Sequence, residues 1–315
     1  MLLLNIEQLK YIIEIYDTGS ITAASKRLHV SQPNISQSIM NLEKELDIKL
    51  FERSRSGAQA TDIGLLFVEK AKVILAHFDD LQNIAQIKNN SLIGSISLIT
   101  IPIISLTILS KTLGSFKDKY PGVKMEVSED GSQHTIDCVI DGTIDIGVVT
   151  LRSDMECDPR INFEPLLTSK TIAYVGKNSP LANKVEIELS EIINYPLVLF
   201  NERYSTSNHL RHLLKKYGTP NILFTSSNSD AMRKVIAEST AIGFYSDISL
   251  KTDPYILSKE IIPLRIKSES NVYSTYGIIT KKQSFRPVLI QKLIEEIKIQ
   301  AEQFKMIHEL PDYSK

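Results

Sequence analysis

The stretch GSITAASKRLHVSQPNISQSIMNLEKEL, residues 19–46, predicts two helices joined by a short turn. The first helix spans about Thr22 to Leu28. The second begins at Ser31, a residue type that caps helix N-termini, and Pro33 is tolerated in its first turn. Four apolar residues recur on one face of the second helix: Ile35, Ile39, Leu42 and Leu46. That spacing buries one side of the helix and leaves the other side in solvent.

A helix, a short turn and a second helix form the arrangement that places the second helix in the major groove of DNA. The outward side of the second helix carries uncharged amides and hydroxyls. Glutamine and asparagine can donate and accept at an adenine edge, and a proline ring can meet a thymine methyl group. The residues of the two helices that we predict to contact DNA are Thr22, Ser31, Gln32, Pro33, Asn34, Ser36 and Gln37.

Further elements are predicted on both sides of this helix pair. Asn5 with Gln8 three residues later predicts a capping box at the start of an earlier helix. One face of that helix is expected to carry Ile6, Leu9, Ile13 and Tyr16. Two short strands of a wing are expected after the pair, at Leu50–Arg53 and Ala60–Thr61. Arg53 and Arg55 of this wing are predicted to hold DNA phosphates.

The charge of this segment argues less clearly for nucleic acid. Residues 1–61 hold seven basic and seven acidic side chains, whereas a nucleic-acid domain usually has a basic excess. Lys26, Arg27 and the two wing arginines nevertheless lie near the turn and the wing, where phosphates would run. The alternative interpretation is a small helical bundle with polar outer faces that contacts only protein.

A long helix is expected from Asp62 to about Asn89. Its apolar residues are spaced 4-3-4-3-4, the rhythm of a helix–helix seam: Phe67, Ala71, Ile74, Phe78, Leu81 and Ala85. Such a helix either packs on the globular body of its own chain or pairs with a second copy, and the rhythm favours dimerisation.

Strand and helix patterns alternate over the rest of the chain, from Gly94 to about Leu310, and restart near Thr171. This alternation predicts a parallel sheet with helices on both faces, divided into two α/β units with a cleft between them. The uncharged stretch Ser91–Ser110 is long enough for a membrane span. Its Pro102, Gly94 and several hydroxyl residues favour a buried strand, a turn and an apolar helix instead.

Ligands of open α/β units bind beyond the carboxyl ends of strands, near helix N-termini. Hydroxyls and free backbone N–H groups at such places suit a carboxylate or phosphate, although each hydroxyl can equally be a helix cap. Arg203 is a candidate partner for an anionic ligand. The full set of candidate ligand residues is Thr100, Ile101, Pro102, Thr150, Arg203, Ser205, Thr206 and Ser207.

Composition and motifs exclude several classes of protein. The 315 residues include 43% apolar and 23% charged residues with a net charge of −1, which is ordinary for a globular chain. Cys138 and Cys157 form no disulfide framework, and with no export signal they suggest a cytoplasmic protein. His209 and His212 lack further metal ligands, and no catalytic or nucleotide-binding motif is present. We therefore expect no cofactor, no metal and no enzymatic activity.

The sequence resembles the LysR-type transcriptional regulators at many positions of fixed spacing. These positions are Gly19–Ala24, Ser31–Ser36, Leu42, Glu43, Leu46, Leu50–Arg53, Thr61 and Gly64. The resemblance implies an α/β multidomain chain with a winged helix-turn-helix, a long linker helix and two α/β subdomains similar to periplasmic binding proteins. The implied divisions are 1–61 for DNA binding, 62–90 for the linker, 91–163 with 269–305 for subdomain I, and 164–268 for subdomain II.

The same resemblance implies a cytoplasmic, sequence-specific regulator that binds interrupted palindromes in double-stranded DNA. It implies a small-molecule effector, a homodimer through the linker helix and a homotetramer of two dimers, with RNA polymerase as a further candidate partner. It also supports Thr100, Pro102 and residues 205–207 as ligand-facing. The alternative is a solute-binding or enzymatic α/β protein whose N-terminal bundle binds protein.

Two departures from the family pattern concern the wing and the second α/β unit. The wing usually ends in a Leu-Thr pair, where this chain has Ala60 and Thr61. The second unit usually carries a Gly-x-Gly stretch closed by proline, where this chain has residues 239–243 followed by Ser246. The second departure bears on the geometry of the ligand cleft, whereas neither touches the predicted DNA-reading helix.

Overall fold

The computed structural model describes residues 4–54, 57–86, 92–152, 156–267, 273–282 and 287–308. The chain divides into two compact units, Met1–Asn89 and Asn90–Lys315. None of the helices within the described residues combines the length and the hydrophobicity that crossing a bilayer requires.

The first unit contains three short helices, a two-stranded wing and a long helix. These elements are α1 (Ile6–Thr18), α2 (Ile21–Leu28), α3 (Gln32–Leu46), β1 (Phe51–Ser54), β2 (Gly57–Ala60) and α4 (Asp62–Gln86). The expected capping box is present, since Gln8 N donates to Asn5 Oδ1 at 2.9 Å and Asn5 N donates to Gln8 Oε1 at 3.1 Å. Gly19 ends α1 in the left-handed conformation with φ of 64°.

The core of this unit lies between α1, α2 and α3. The predicted stripe of α3 is confirmed for Ile35, Ile39 and Leu42, which are fully buried. The predicted face of α1 is wrong by part of a turn. Its buried residues are Leu9, Tyr11, Ile12 and Ile15. The buried surface shifts because α1 packs against α4 as well as against α2 and α3, which leaves Tyr16 43% exposed beneath the Lys72 ammonium.

The second unit alternates strands and helices. The elements are β3 (Gly94–Thr100), α5 (Pro102–Ile104), α6 (Ser110–Lys119), β4 (Val123–Glu129), α7 (Ser132–Asp141), β5 (Ile146–Arg152), β6 (Ile161–Gly176), β7 (Glu186–Glu188), α8 (Leu189–Ile192), β8 (Leu197–Phe200), α9 (Ser205–Lys215), β9 (Ile222–Ser226), α10 (Ser229–Ala237), β10 (Gly243–Ser246), α11 (Pro254–Leu257), β11 (Ile261–Lys267), β12 (Tyr273–Lys281) and α12 (Val288–His308). A turn of π-helix, Ser105–Leu109, joins α5 to α6.

The expectation of a parallel sheet is corrected by the strand pairing. The main sheet has the order β4-β3-β5-β12-β6-β11-β7, with β10 also paired to β6. Strands β4, β3 and β5 are parallel, but β12 runs antiparallel to both β5 and β6, and β11 runs antiparallel to β6. The sixteen residues of β6 thereby join what the sequence predicts as two separate units. Sequence periodicity indicates only residues 171–175 of this strand, because Pro165 interrupts its first half.

Separate apolar cores lie on the two halves of the second unit. One core surrounds β3 and β5 and is covered by α6 and α12, with Phe116, Val148 and Ile297 fully buried. Another core, including Val175, Leu197 and Leu214, packs β6, β8 and α9 together. The predicted strand, turn and helix around Pro102 are confirmed by β3 and α5, whereas Ser91 lies outside the described residues.

Candidate nucleic-acid interface and ligand cavity

The outer side of α3 presents the predicted polar residues to solvent. Gln32, Pro33, Asn34 and Gln37 are exposed, as Thr22 is on α2. Ser31 occupies the N-cap position, but its side chain makes no capping hydrogen bond. Its hydroxyl is therefore not committed to the helix end.

An arginine of the wing contacts the first turns of this helix. Arg53 Nη1 donates to Ser36 Oγ at 2.9 Å, so a cationic side chain stands beside the first turns of α3. Ser36 is half-buried, whereas Gln32, Asn34 and Gln37 are exposed. Arg55, the other predicted phosphate contact of the wing, lies outside the described residues. Arg27 is paired with Glu14 at 3.0 Å and remains 65% exposed.

Backbone contacts fix the position of the wing. Ala58 N donates to Gly19 O at 2.8 Å, and a Cβ on Gly57 would lie only 2.4 Å from that same oxygen. Glycine is required at position 57 because its φ is also +137°. The turn after α1 therefore holds β2 in position.

Two residues of α3, Glu43 and Met40, have no contact predicted for them from the sequence. Glu43 is 3% exposed, and its carboxylate accepts hydrogen bonds from the backbone of the following turn. Met40 is 48% exposed and lies three residues after Gln37 on the outward face. Helical spacing would have placed Met40, whereas nothing local in the sequence marks the Glu43 contact.

A cavity of about 100 Å³ lies within the second unit. At roughly 10–15 Å³ for one water, this is room for several waters or a small molecule. Five of the predicted ligand residues line it: Ile101, Pro102, Thr150, Thr206 and Ser207. They come from the ends of β3 and β5 and from the start of α9, so the rule that ligands bind beyond strand ends locates the cavity.

Other predicted ligand residues do not line this cavity. Thr100 is completely buried, and its hydroxyl contacts the carbonyl oxygen of Ile101 at 3.4 Å. Arg203 extends to Asp130, with Nη1 3.3 Å from Oδ2, and is 70% exposed. A Cβ on Gly131 would lie 1.9 Å from the Arg203 carbonyl oxygen, so the two backbones touch there. The side chain of Ser205 lies outside the described residues.

The cavity also contains residues that sequence reasoning missed. Arg233 of α10 lines it, although it is only 6% exposed and looks in the sequence like an ordinary helix residue. Aromatic side chains form much of the wall: Phe200, Tyr204, Phe244, Tyr245 and Tyr276. Burial raises the pKa of the Tyr276 phenol, which keeps the group neutral and able to donate a hydrogen bond. Ser246, at the position where proline is usual, donates to Ser169 Oγ at 2.9 Å and lines the cavity too.

Cys138 and Cys157 lie in different surroundings, one beside a histidine and the other beside an aspartate. Cys138 Sγ lies 3.6 Å from His134 Nε2 on the same helix, and both cysteines are free thiols. Burial raises the pKa of the Cys157 thiol, and the nearby Asp158 raises it further, which disfavours the reactive thiolate. The described ranges contain no cluster of three or more residues that could hold a metal ion.

Two families of known proteins match this chain, one within the first unit and the other over most of the second. The family described as "Bacterial regulatory helix-turn-helix protein, lysR family" matches residues 6–65, and the "LysR substrate binding domain" family matches residues 89–302. The chain belongs to the LysR family of transcriptional regulators. It is a sequence-specific DNA-binding regulator whose activity is modulated by a small-molecule effector.

Individual relatives align in sequence with this chain over most of their own length. The HTH-type transcriptional regulator YwbI of Bacillus subtilis is 30% identical over 267 residues, covering 83% of this chain and 86% of that protein. The regulator CysB of Haemophilus influenzae is 24% identical, over 78% of this chain and 76% of its own.

Solved structures show the same fold. Full-length OxyR from Pseudomonas aeruginosa gives a TM-score of 0.68 at 19% identity over 95% of each chain. CbnR in complex with its target DNA gives 0.59 at 22% identity, over 94% of this chain and 100% of that one.

Proposed function

We propose that α3 is the recognition helix of this LysR-family regulator. Its exposed, uncharged residues would contact base edges in the major groove: Gln32, Pro33, Asn34 and Gln37. The side-chain amides among them can both donate to and accept from the edge of an adenine. The supporting observation is the hydrogen bond from Arg53 to Ser36, which holds a cation next to those amides. The other residues proposed at the phosphates or the groove edge are Thr22, Ser31, Ser36, Arg53 and Arg55.

We infer that the cavity of the second unit is the effector site. Ile101, Pro102, Thr150, Thr206 and Ser207 line it and would contact the effector. Thr100, Arg203 and Ser205 are assigned to its surroundings. The proposed subdomains on either side are residues 91–163 with 269–305 and residues 164–268.

We further propose a homodimer formed by α4. Ile74 and Leu81 of the expected seam are 43% and 67% exposed. Exposing this apolar surface to water is unfavourable, and a second copy of the helix would bury it. A two-fold dimer places half-sites about one helical turn, or a multiple, apart in an interrupted palindrome. Two such dimers would make a tetramer. In this proposal the chain acts in the cytoplasm, without enzymatic activity, and RNA polymerase is a further partner.

Footprinting of the full-length protein on the DNA upstream of its own gene and of the divergent neighbour tests the proposal. The expected result is protection of an interrupted palindrome that persists over random competitor DNA as salt is raised. Protection that competitor removes would reduce α3 to a non-specific contact. A selection from genomic DNA fragments with the full-length protein then decides whether a specific site exists elsewhere, and failure to enrich any sequence would overturn the proposal.

A further inference from the structure

The cavity is lined by one charged side chain, counted over the residues that the structure describes. That side chain is Arg233, and the lining described there includes no carboxylate. A cationic ligand would face the guanidinium with no acidic group on the wall, which is unfavourable in a site of low dielectric. The one charged group that this wall presents is a hydrogen-bond donor, which favours ligands that offer an acceptor.

One end of the guanidinium is fixed by a buried carboxylate. Arg233 Nε lies 2.7 Å from Asp253 Oδ2, and the side chain of Asp253 is completely buried. The contact is an ion pair whose angle is not that of a hydrogen bond. Asp253 is itself held at the start of α11, where Oδ1 accepts from Tyr255 N at 3.0 Å. Breaking such a buried pair is costly, so the position of the guanidinium is set before any ligand arrives.

The other end of the guanidinium is held weakly. Nη1 lies 2.8 Å from Asp230 Oδ1 and 3.2 Å from Ser229 Oγ, but Asp230 is 86% exposed. Ion pairs with exposed carboxylates contribute little because water competes for both partners. Nη2 has no acceptor among the residues in the described ranges. The guanidinium also lies 5.1 Å from the centroid of the Tyr245 ring, which keeps its plane in place.

We propose that Arg233 selects the charge of the effector, and that the effector is a small organic monocarboxylate. This rests on the proposed function of the cavity as the effector site. One carboxylate oxygen would replace Asp230 at Nη1 and the other would accept from Nη2, the paired geometry that a planar guanidinium offers. The Phe200 and Phe244 rings, which also line the cavity, suit an apolar body, which inorganic anions do not have.

Thermal unfolding of the full-length protein with matched probes tests this inference. The probes are butyrate, benzoate and phenylacetate, their primary amides, and inorganic sulfate and phosphate. The expected result is a saturable rise of Tm with at least one carboxylate and none with its amide. Arg233→Gln should weaken that binding about ten- to a hundredfold. Arg233→Lys should weaken carboxylate binding less, because the positive charge remains although the two parallel N–H donors of the guanidinium are lost. Asp230→Asn should leave carboxylate binding unchanged or make it stronger.

Two further variants keep the test decisive. Arg265→Gln, at an exposed arginine of the same unit that does not line the cavity, should bind like the unaltered protein. If Arg233→Gln does not fold because Asp253 is left unpaired, the double variant Arg233→Gln/Asp253→Asn removes both charges and should show the same loss of carboxylate binding.

Several results would overturn the inference: amides that bind as well as carboxylates, full carboxylate binding by Arg233→Gln, binding of sulfate or phosphate alone, or binding of no probe at all. DNA binding measured on the same preparations separates the two proposals. Specific DNA binding without carboxylate binding refutes only the role of Arg233. Arg233-dependent carboxylate binding without specific DNA binding would refute the proposed reading of bases by α3 and leave the ligand class standing.

Discussion

Glu43 Oε1 accepts hydrogen bonds from the backbone nitrogen of Leu50, at 2.8 Å, and from that of Phe51, at 3.1 Å. One buried carboxylate near the end of α3 therefore satisfies two buried N–H groups where the wing begins. Lys49 approaches the second oxygen at 3.4 Å, but it is 77% exposed and adds little. This carboxylate therefore joins the end of α3 to the start of the wing, together with the Arg53–Ser36 and Ala58–Gly19 contacts.

Replacing Glu43 should loosen the joint between helix and wing. Glu43→Ala leaves two buried donors without an acceptor and should cost about 2 kcal/mol or more of stability, whereas Glu43→Gln keeps an acceptor oxygen and should cost less. Calorimetric unfolding of the full-length protein measures both. Glu69→Ala, at an exposed position of α4, is the control and should change stability by less than about 0.5 kcal/mol. Equal effects at positions 43 and 69 would contradict the assigned role.

Gln32 is expected to read a base. Gln32→Ala should cost roughly 1–3 kcal/mol on the cognate site and far less on random DNA, because phosphate contacts are unchanged. Electrophoretic mobility shifts with both DNAs at fixed salt measure the difference. Gln303→Ala, an exposed glutamine of α12, should alter neither affinity. An equal loss on random DNA would remove Gln32 from the base-reading set.

Leu81 is expected to lie in the dimer seam of α4. Leu81→Glu places a charge in an apolar helix pair and should convert the dimer to a monomer, as measured by sedimentation equilibrium. Leu257→Glu is a matched control, since Leu257 is 65% exposed on the second unit against 67% for Leu81. A dimer that survives Leu81→Glu would show that α4 is not the seam.

Replacing glycine by alanine should have opposite effects on stability at Gly131 and at Gly114. A Cβ at position 131 meets the Arg203 carbonyl at 1.9 Å, so Gly131→Ala must separate two backbones and should cost about 1–3 kcal/mol. Gly114 lies within α6 with nothing near the added methyl, so Gly114→Ala should stabilise by about 0.5–1 kcal/mol. Thermal unfolding compares them, and a neutral Gly131→Ala would mean that the contact yields easily.

Glu296 should make stability depend on pH. Burial raises the pKa of its carboxyl, but hydrogen bonds from Lys119, Ser115 and Gln300 outweigh burial and lower it overall. A carboxyl whose pKa is lowered in the folded state stabilises the fold above its ordinary pKa, and this contribution is lost as the pH falls through the folded value. Glu296→Gln should therefore cost about 1–3 kcal/mol at pH 7 and progressively less below about pH 4.

Denaturant unfolding across that pH range measures the Glu296 effect. Glu302→Gln, which affects an exposed pair with Lys305 on the same helix, should show little cost at any pH. A Glu296→Gln penalty that stays constant on acidification would show that the carboxylate is not what stabilises this helix contact.

The elements of the DNA-reading unit follow from the sequence because their signals are local. Asn5 with Gln8, Gly19 and the stripe of α3 each act within one or two turns of chain, and the structure confirms all three. The face of α1 was the exception, since α4 packs against it from more than forty residues away in the sequence. Local signals fix where a helix begins and ends, but not which neighbours cover it.

The residues around the cavity likewise fall into those that the sequence predicts and those that it does not. Strand ends and helix starts pointed to Pro102, Thr150 and Thr206, because the location rule depends only on the order of elements. Which arginine lines the cavity could not be read from the sequence. Arg203 is drawn to Asp130, while Arg233 is positioned by Asp253, and both pairings are between residues at least twenty positions apart.

The sequence by itself therefore determined the family, the helix-turn-helix elements with their capping signals, and the region of the cavity. The tertiary structure decided the mixed pairing of the sheet, the buried Glu43 joint and the charge that lines the cavity. The physical reason is that strand partners and buried ion pairs depend on contacts between distant parts of the chain, which composition and periodicity do not record.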